Sequence, residues 1–393
     1  MPSPGNESVA GLVAARLQGA VVFDPAGPEP VLDIGRFSHR IGPMADGPVT
    51  KKRPKKKPHP VLDWLVYAAV RVLVVFLYLF DVETNLRFAC FLGRLLWTHY
   101  HRGRQRALEN LRASFPEKSE EWIWQTGRRS FEQIVMLTID VLFTPRLVKK
   151  YNWREYSRYR NAEHAKWLMQ ERKGLLMVTG HYSNFEITGY LMGLFGFDLY
   201  SIARPLDNKY LNRFLYGVRE RRGQKIIDKK GAAELMPQIV ARGSTLGFIA
   251  DQDAGKKGVF VDFFGRKAST YKSIGLVALT YNLPIVVGYS RRVGNRFFFE
   301  LGVTRIIFPQ EWADKDDPLK WITAEYTKAI EAFVREDPTQ YWWLHRRWKS
   351  RPREERIQAG EASTAGPSRE EKAVEVVALG PSSSLSPASR AAC

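Results

Sequence analysis

From Leu175 onward, apolar runs of strand length alternate with segments of helical period, and this alternation limits what the chain can fold into more than any other feature. Strands are predicted at 174–179, 199–204, 224–228, 245–250, 284–290 and 296–303, and helices at 185–195, 208–222, 231–242, 270–282 and 317–336. The pattern predicts an α/β fold: a mainly parallel or mixed sheet covered by helices, with its binding crevice off the carboxyl ends of the strands.

The first of those strand ends carries chemistry. In GLLMVTGHYSNFEITGYLMGLF, residues 174–195, a strand, a polar turn and a helix follow one another, and the turn holds His181 and Glu186. Residues five apart lie roughly 140° around a helix and on opposite faces of a strand, so only a bend between the two brings these side chains together. A histidine leaving a strand beside a carboxylate suits a general base with an orienting partner. Ser183-Asn184-Phe185-Glu186 is also S-x-x-E, a capping box in which Ser183 caps the helix and Glu186 reaches back to its amide. This stretch alone leaves both readings open.

Ahead of the alternating part stands KKRPKKK, residues 51–57, and then the apolar VLDWLVYAAVRVLVVFLYLF, residues 61–80. Cations hard against an apolar twenty-mer are the signature of a membrane anchor. Arg71 lies near its middle, where a charge costs ~2.5 to 3.5 kcal/mol on insertion scales, so the helix either spans the bilayer or lies in its interface. The expected organisation is a basic disordered extension over 1–60, the anchor over 61–82, an α/β domain with a helical N-terminal part over 83–350, and a disordered Ser/Pro/Ala tail over 351–393.

The 60 Lys+Arg against 41 Asp+Glu leave a formal charge of +19, which calls for polyanionic partners, and eleven tryptophans lean toward an anionic membrane surface rather than nucleic acid. Cys90 and Cys393 make no disulfide framework and no zinc cluster, which fits a cytoplasm-facing location. There is no G-x-x-x-x-G-K-[ST], no G-x-S-x-G and no H-E-x-x-H. DQDAG at 251–255 begins like a calcium loop but has Lys256 where the turn needs glycine, so no metal is expected.

Three further clusters follow strands. ARPLDNKYLNRFLYGVRERRG, residues 203–223, gathers Arg204, Arg219, Arg221 and Arg222, whose guanidinium forks can hold phosphates or simply be solvated. ADQDAGKKGVFVDFFGRKAST, residues 250–270, follows Asp251 with a Gly-bounded loop in which Phe263 and Phe264 either line an acyl-chain groove or pack in the core. PTQYWWLHRRWK, residues 338–349, with Arg346, Arg347, Trp348 and Lys349, suits an interfacial belt or a nucleic-acid surface.

Taken together, GHYSNFE, RPLDN with R-x-R-R-G, ADQD with GVFVDFFG, and P-x-Q-Y-x-W-L-H-R-R-W-K resemble, in order and spacing, the late lauroyl and myristoyl acyltransferases of lipid A biosynthesis, which carry an H-x4-D/E motif. The likeness spans roughly residues 61–351. It implies transfer of a fatty acyl group from an acyl carrier protein or coenzyme A thioester to a hydroxyl of a membrane glycolipid, without a further cofactor, at the cytoplasmic face of a bacterial inner membrane. It assigns His181 as general base, Glu186 as its partner and Arg219 as oxyanion donor, with Arg204, Arg221, Arg222, Asn184, Asp251, Phe263 and Phe264 contacting substrate. A lysophospholipid or a mannosylated phosphoinositide is the alternative acceptor, and a basic membrane-surface or nucleic-acid binding protein is the alternative without chemistry.

Overall fold

The structure, a computed structural model, describes residues 59–353 and 355 except residues 172, 204, 221, 222, 229 and 230. The expected extension up to residue 58, the tail beyond residue 355, and Arg204, Arg221 and Arg222 lie outside the described residues.

Four helices come first: α1 (Pro60–Leu77), α2 (Val82–His99), α3 (His101–Ser114) and α4 (Glu120–Leu147). Asp81 and Ser119 start α2 and α4 by accepting from the amides of Thr84 and Trp122, which satisfies donors that a helix start leaves free. Leu86, Ala89, Gly93 and Trp97 recur every third or fourth residue of α2 and are buried against α4. Gly93 is needed there, because a Cβ would come within 2.5 Å of the Glu132 Cα. Removing Leu86 or Trp97 from water is worth roughly 1.5 to 3 kcal/mol each.

The chain then alternates as expected: β1 (Ser157–Arg160), α5 (Glu163–Gln170), β2 (Leu175–Thr179), α6 (Phe185–Leu194), β3 (Leu199–Ala203), α7 (Lys209–Glu220), β4 (Lys225–Asp228), α8 (Ala232–Ala241), β5 (Thr245–Ile249), β6 (Val259–Phe263), β7 (Arg266–Thr270), α9 (Lys272–Tyr281), β8 (Ile285–Arg292), β9 (Phe299–Ile307) and α10 (Pro318–Glu336). The main sheet runs β1-β9-β8-β2-β5-β3-β4, parallel throughout except between β8 and β9. It is a mixed, mainly parallel sheet flanked by helices, an α/β fold. β2 sits inside it, between β8 and β5, with Leu176 and Val178 fully buried. Such near-continuous apolar runs are what strands covered on both faces require.

Two parts depart from expectation. β1 has the sequence SRYR, with only Ser157 buried, so an edge strand was hidden in a polar run. The segment read as an aromatic loop is instead the antiparallel hairpin β6–β7, closed by Phe264-Gly265, both at positive φ as the hairpin twist demands. Phe263 and Phe264 do not face lipid or line a groove. They are 1 % and 3 % exposed, stacked among Phe115, Tyr341, Trp343 and Trp348, and this burial offsets the unfavourable backbone of Phe264.

The basic-aromatic segment 338–349 is likewise largely interior. Trp343 and Arg347 are buried, and Arg347 donates to the carbonyls of Ser269 and Gln252 and to the Thr270 hydroxyl. A nucleic-acid surface therefore has no stacking platform in Trp343 and Trp348.

Candidate active site

The site is built by strand register. Thr179 and Ile249, the last residues of β2 and β5, are paired, and His181 and Asp251 each stand two residues beyond them. Adjacent parallel strands thus deliver a histidine and an aspartate to the same point at their carboxyl ends. Asp251, 1 % exposed, accepts from the His181 amide at 2.8 Å through Oδ2 and from the ring Nδ1 at 2.6 Å through Oδ1. Gly180 lets them approach, since a Cβ there would lie 3.3 Å from Oδ2 of Asp251 and from Ile330.

Burial pushes the Asp251 carboxyl up, but the charge and hydrogen bond of His181, together with His345, outweigh it and hold the carboxyl well below the usual carboxylate range. An ionised carboxylate can only accept, so Nδ1 carries a proton, and in the neutral ring Nε2 is then the nitrogen with the free lone pair. The Gln252 amide nitrogen lies 3.4 Å from Nε2. Rings enclose the imidazole: Phe185 at 5.2 Å, Trp342 at 5.1 Å and His345 at 4.6 Å between centroids, leaving the side chain 12 % exposed.

The turn is clamped from the far side. Trp342 and Ser183 donate from their amides to the carbonyls of His181 and Gln340, and Tyr182 bridges Tyr341. Ser183 adopts a left-handed φ of 45° and accepts from the Arg292 amide, so the backbone strain is held by tertiary contacts. Arg292 is anchored in turn by a buried ion pair with Asp140.

Several sequence expectations need correction here. The partner of His181 is Asp251, assigned above to substrate. Among the described residues Glu186 makes no bond to His181; it pairs with Arg219 of α7, with 2.9 Å between Arg219 Nε and Oε2 and a second contact beside it. Sequence proximity suggested Glu186, but strand adjacency brings Asp251. Ser183 is not the helix cap: Asn184 is, accepting from the Ile187 amide and fully buried. His345 was missed altogether. Its signal was its place among aromatic residues in the segment that covers the site.

Beside the dyad opens a cavity of about 670 Å³ between the sheet, α5 and α6. Phe185, Met192, Phe195, Phe248 and Leu301 make its wall apolar, and Thr179, Glu186 and Arg219 bring polar groups to its edge. Its volume falls in the range of small-molecule sites. His181, Asp251 and His345 also present ligand-type atoms within 4.8 Å of one another, although both carboxylate oxygens of Asp251 are already engaged by His181.

Burial, with His181 adding to it, lowers the His345 imidazole from 6.5 to about 4. Because the unfolded chain binds that proton more tightly, stability is intact above pH 6.5 and is lost as pH falls toward and through 4. Asp251 adds a second loss only in more acidic solution, below its unfolded value of 3.8. The melting temperature should therefore drop between pH 6.5 and 4, and His345→Gln should flatten that limb. Identical slopes in both proteins would contradict the assignment.

A histidine held by a buried carboxylate thus stands at strand carboxyl ends, beside a cavity walled largely by apolar side chains. Residues 50–350 match the family described as bacterial lipid A biosynthesis acyltransferase. The chain belongs to that family. It is 26% identical over 297 residues to the lipid A biosynthesis lauroyltransferase of Escherichia coli, covering 74% of this chain and 92% of that protein. It is 25% identical over 300 residues to the lipid A biosynthesis palmitoleoyltransferase of the same organism, with the same coverage. To a lipid A biosynthesis acyltransferase of Haemophilus influenzae it is 26% identical over 272 residues, covering 66% and 82%.

Proposed function

We propose that this acyltransferase moves a fatty acyl group from an acyl carrier protein or coenzyme A thioester to a hydroxyl of a lipid A precursor, with His181 as general base and Asp251 as its orienting partner. The observation that carries this reading is the Nδ1 hydrogen bond to Asp251, which leaves Nε2 as the proton acceptor. The acceptor oxygen attacks the thioester carbonyl while its proton passes to Nε2, and Asp251 stabilises the imidazolium. The tetrahedral oxyanion collapses, the new ester forms, and the departing thiolate takes the proton back from Nε2. Arg219, held in place by Glu186 at the cavity edge, is the donor toward the oxyanion. The acyl chain lies in the apolar cavity, and the acceptor approaches from the exposed side of the imidazole.

The reaction so written uses no cofactor. Purified protein, an acyl carrier protein thioester and a lipid A precursor should yield a product heavier by one acyl chain, at a rate unchanged by a chelator. No acylated product with any thioester donor would end the reading, and loss of activity on chelation would turn the His181–Asp251–His345 cluster into a metal site.

The enzyme works at the cytoplasmic surface of the inner membrane. Among the described residues α1 is the one helix long and apolar enough to cross a bilayer, and Val72, Val75 and Phe76 on it, Leu79 just after it, and Phe88 and Phe91 on α2 are exposed. The protein should sediment with phosphatidylcholine vesicles even in high salt, because burial of those side chains is not screened. Val72→Asp with Phe76→Asp should leave most of it in the supernatant. Equal sedimentation of this variant would contradict attachment through α1.

A further inference from the structure

A second cavity, of about 770 Å³, lies away from the histidine, between α1, the end of α4 and α7. Four cations reach it: Arg71 from α1, Arg146 and Lys149 from α4 and the residues after it, and Arg213 from α7. No acidic side chain lines it, and among the described residues Arg71, Arg146 and Arg213 form no ion pair. Arg71 donates to the Tyr67 hydroxyl at 2.9 Å and lies 5.5 Å from the Phe214 ring centroid, contacts that hold its direction without neutralising it. The frame is built: Asn208 at the start of α7 donates to the Asp63 carbonyl of α1, and Tyr67 stacks on Tyr210. Like charges gathered over an apolar floor repel one another unless an anion completes the site.

We propose that this cavity binds the phosphate of an anionic membrane lipid, its acyl chains lying along the exposed apolar side of α1. An arginine inside an apolar helix is costly, and a lipid phosphate at that depth supplies the partner it lacks. Guanidinium groups from separate helices grip phosphate oxygens in forks and pin α7 to α1. Arg219 stands six residues beyond Arg213 on α7, about 9 Å along its axis, so headgroup binding fixes the helix that carries the oxyanion donor. The site rests on the membrane-bound reading of α1, which sedimentation with phosphatidylcholine vesicles tests separately, since that binding needs no anionic headgroup.

Full-length protein in neutral detergent micelles is titrated with phosphatidylglycerol, phosphatidylcholine or inorganic phosphate while thermal unfolding is followed. Phosphatidylglycerol should raise the melting temperature saturably, and the other two should not. Arg71→Gln with Arg213→Gln should abolish the rise although the basic tract at 51–57 is intact. Arg146→Gln, a milder change, should weaken the apparent affinity about tenfold, the loss of one charge-assisted contact. An undiminished phosphatidylglycerol response in the double variant would overturn the site, and a shift reproduced by inorganic phosphate would overturn the lipid.

Discussion

His181→Ala protein should fold, melt below the wild-type temperature because the buried Asp251 carboxylate loses its ring partner, and transfer acyl groups at least ~10² and up to ~10⁴ times more slowly, the contribution of a positioned general base. Folding should survive because the imidazole is not part of the central core: it packs on Phe185, Trp342 and His345 at the end of β2 and keeps 12 % of its surface exposed. The clamp on its backbone, from Trp342 and from the Asp251 carboxylate, does not need the ring. The loss should fall on kcat and kcat/KM together, because proton transfer matters in the transition state and not in substrate binding. Turnover within a few-fold of wild type would remove His181 from the chemistry.

Asp251→Asn should cost about as much, roughly 10²- to 10⁴-fold, while leaving the histidine in place. The amide is close in shape to the carboxylate but presents a donor where the carboxylate only accepts. Its nitrogen turned toward Nδ1 drives the imidazole proton to Nε2, and a protonated Nε2 cannot take the proton of a hydroxyl. The imidazolium also loses its counter-charge. Glu186→Gln acts elsewhere, on the ion pair with Arg219. Its effect should therefore be non-additive with Arg219→Gln and additive with Asp251→Asn. If Glu186→Gln and Asp251→Asn instead prove non-additive with each other, the two carboxylates serve one function and the assignment is wrong.

The strand–helix alternation was legible because the buried parallel strands β2, β5 and β8 are apolar runs bounded by turn residues, and their helices carry a 3.6-residue period. β1 was not, since an edge strand of sequence SRYR buries one side chain and has no alternation to read. His181 was legible from its place at a strand end. Its partner was not, because β5 lies beside β2 only through a strand order in which β3 and β4 are placed beyond it, and nothing local to GHYSNFE encodes that neighbour. The nearer carboxylate, Glu186, took the role by default. Phe263 and Phe264 misled for a related reason. Their burial depends on Phe115 and Trp343, far away in the chain, and a Phe-rich stretch reads alike in a groove and in a core.

The pairing of His181 with Asp251 is tested most directly by the tautomer of its imidazole, read from nitrogen chemical shifts in protein with labelled histidines and assigned by the loss of one set of signals in His181→Ala. Wild type and Glu186→Gln should both show the proton on Nδ1, and Asp251→Asn should move it to Nε2. A tautomer that changes in Glu186→Gln and persists in Asp251→Asn would contradict the account.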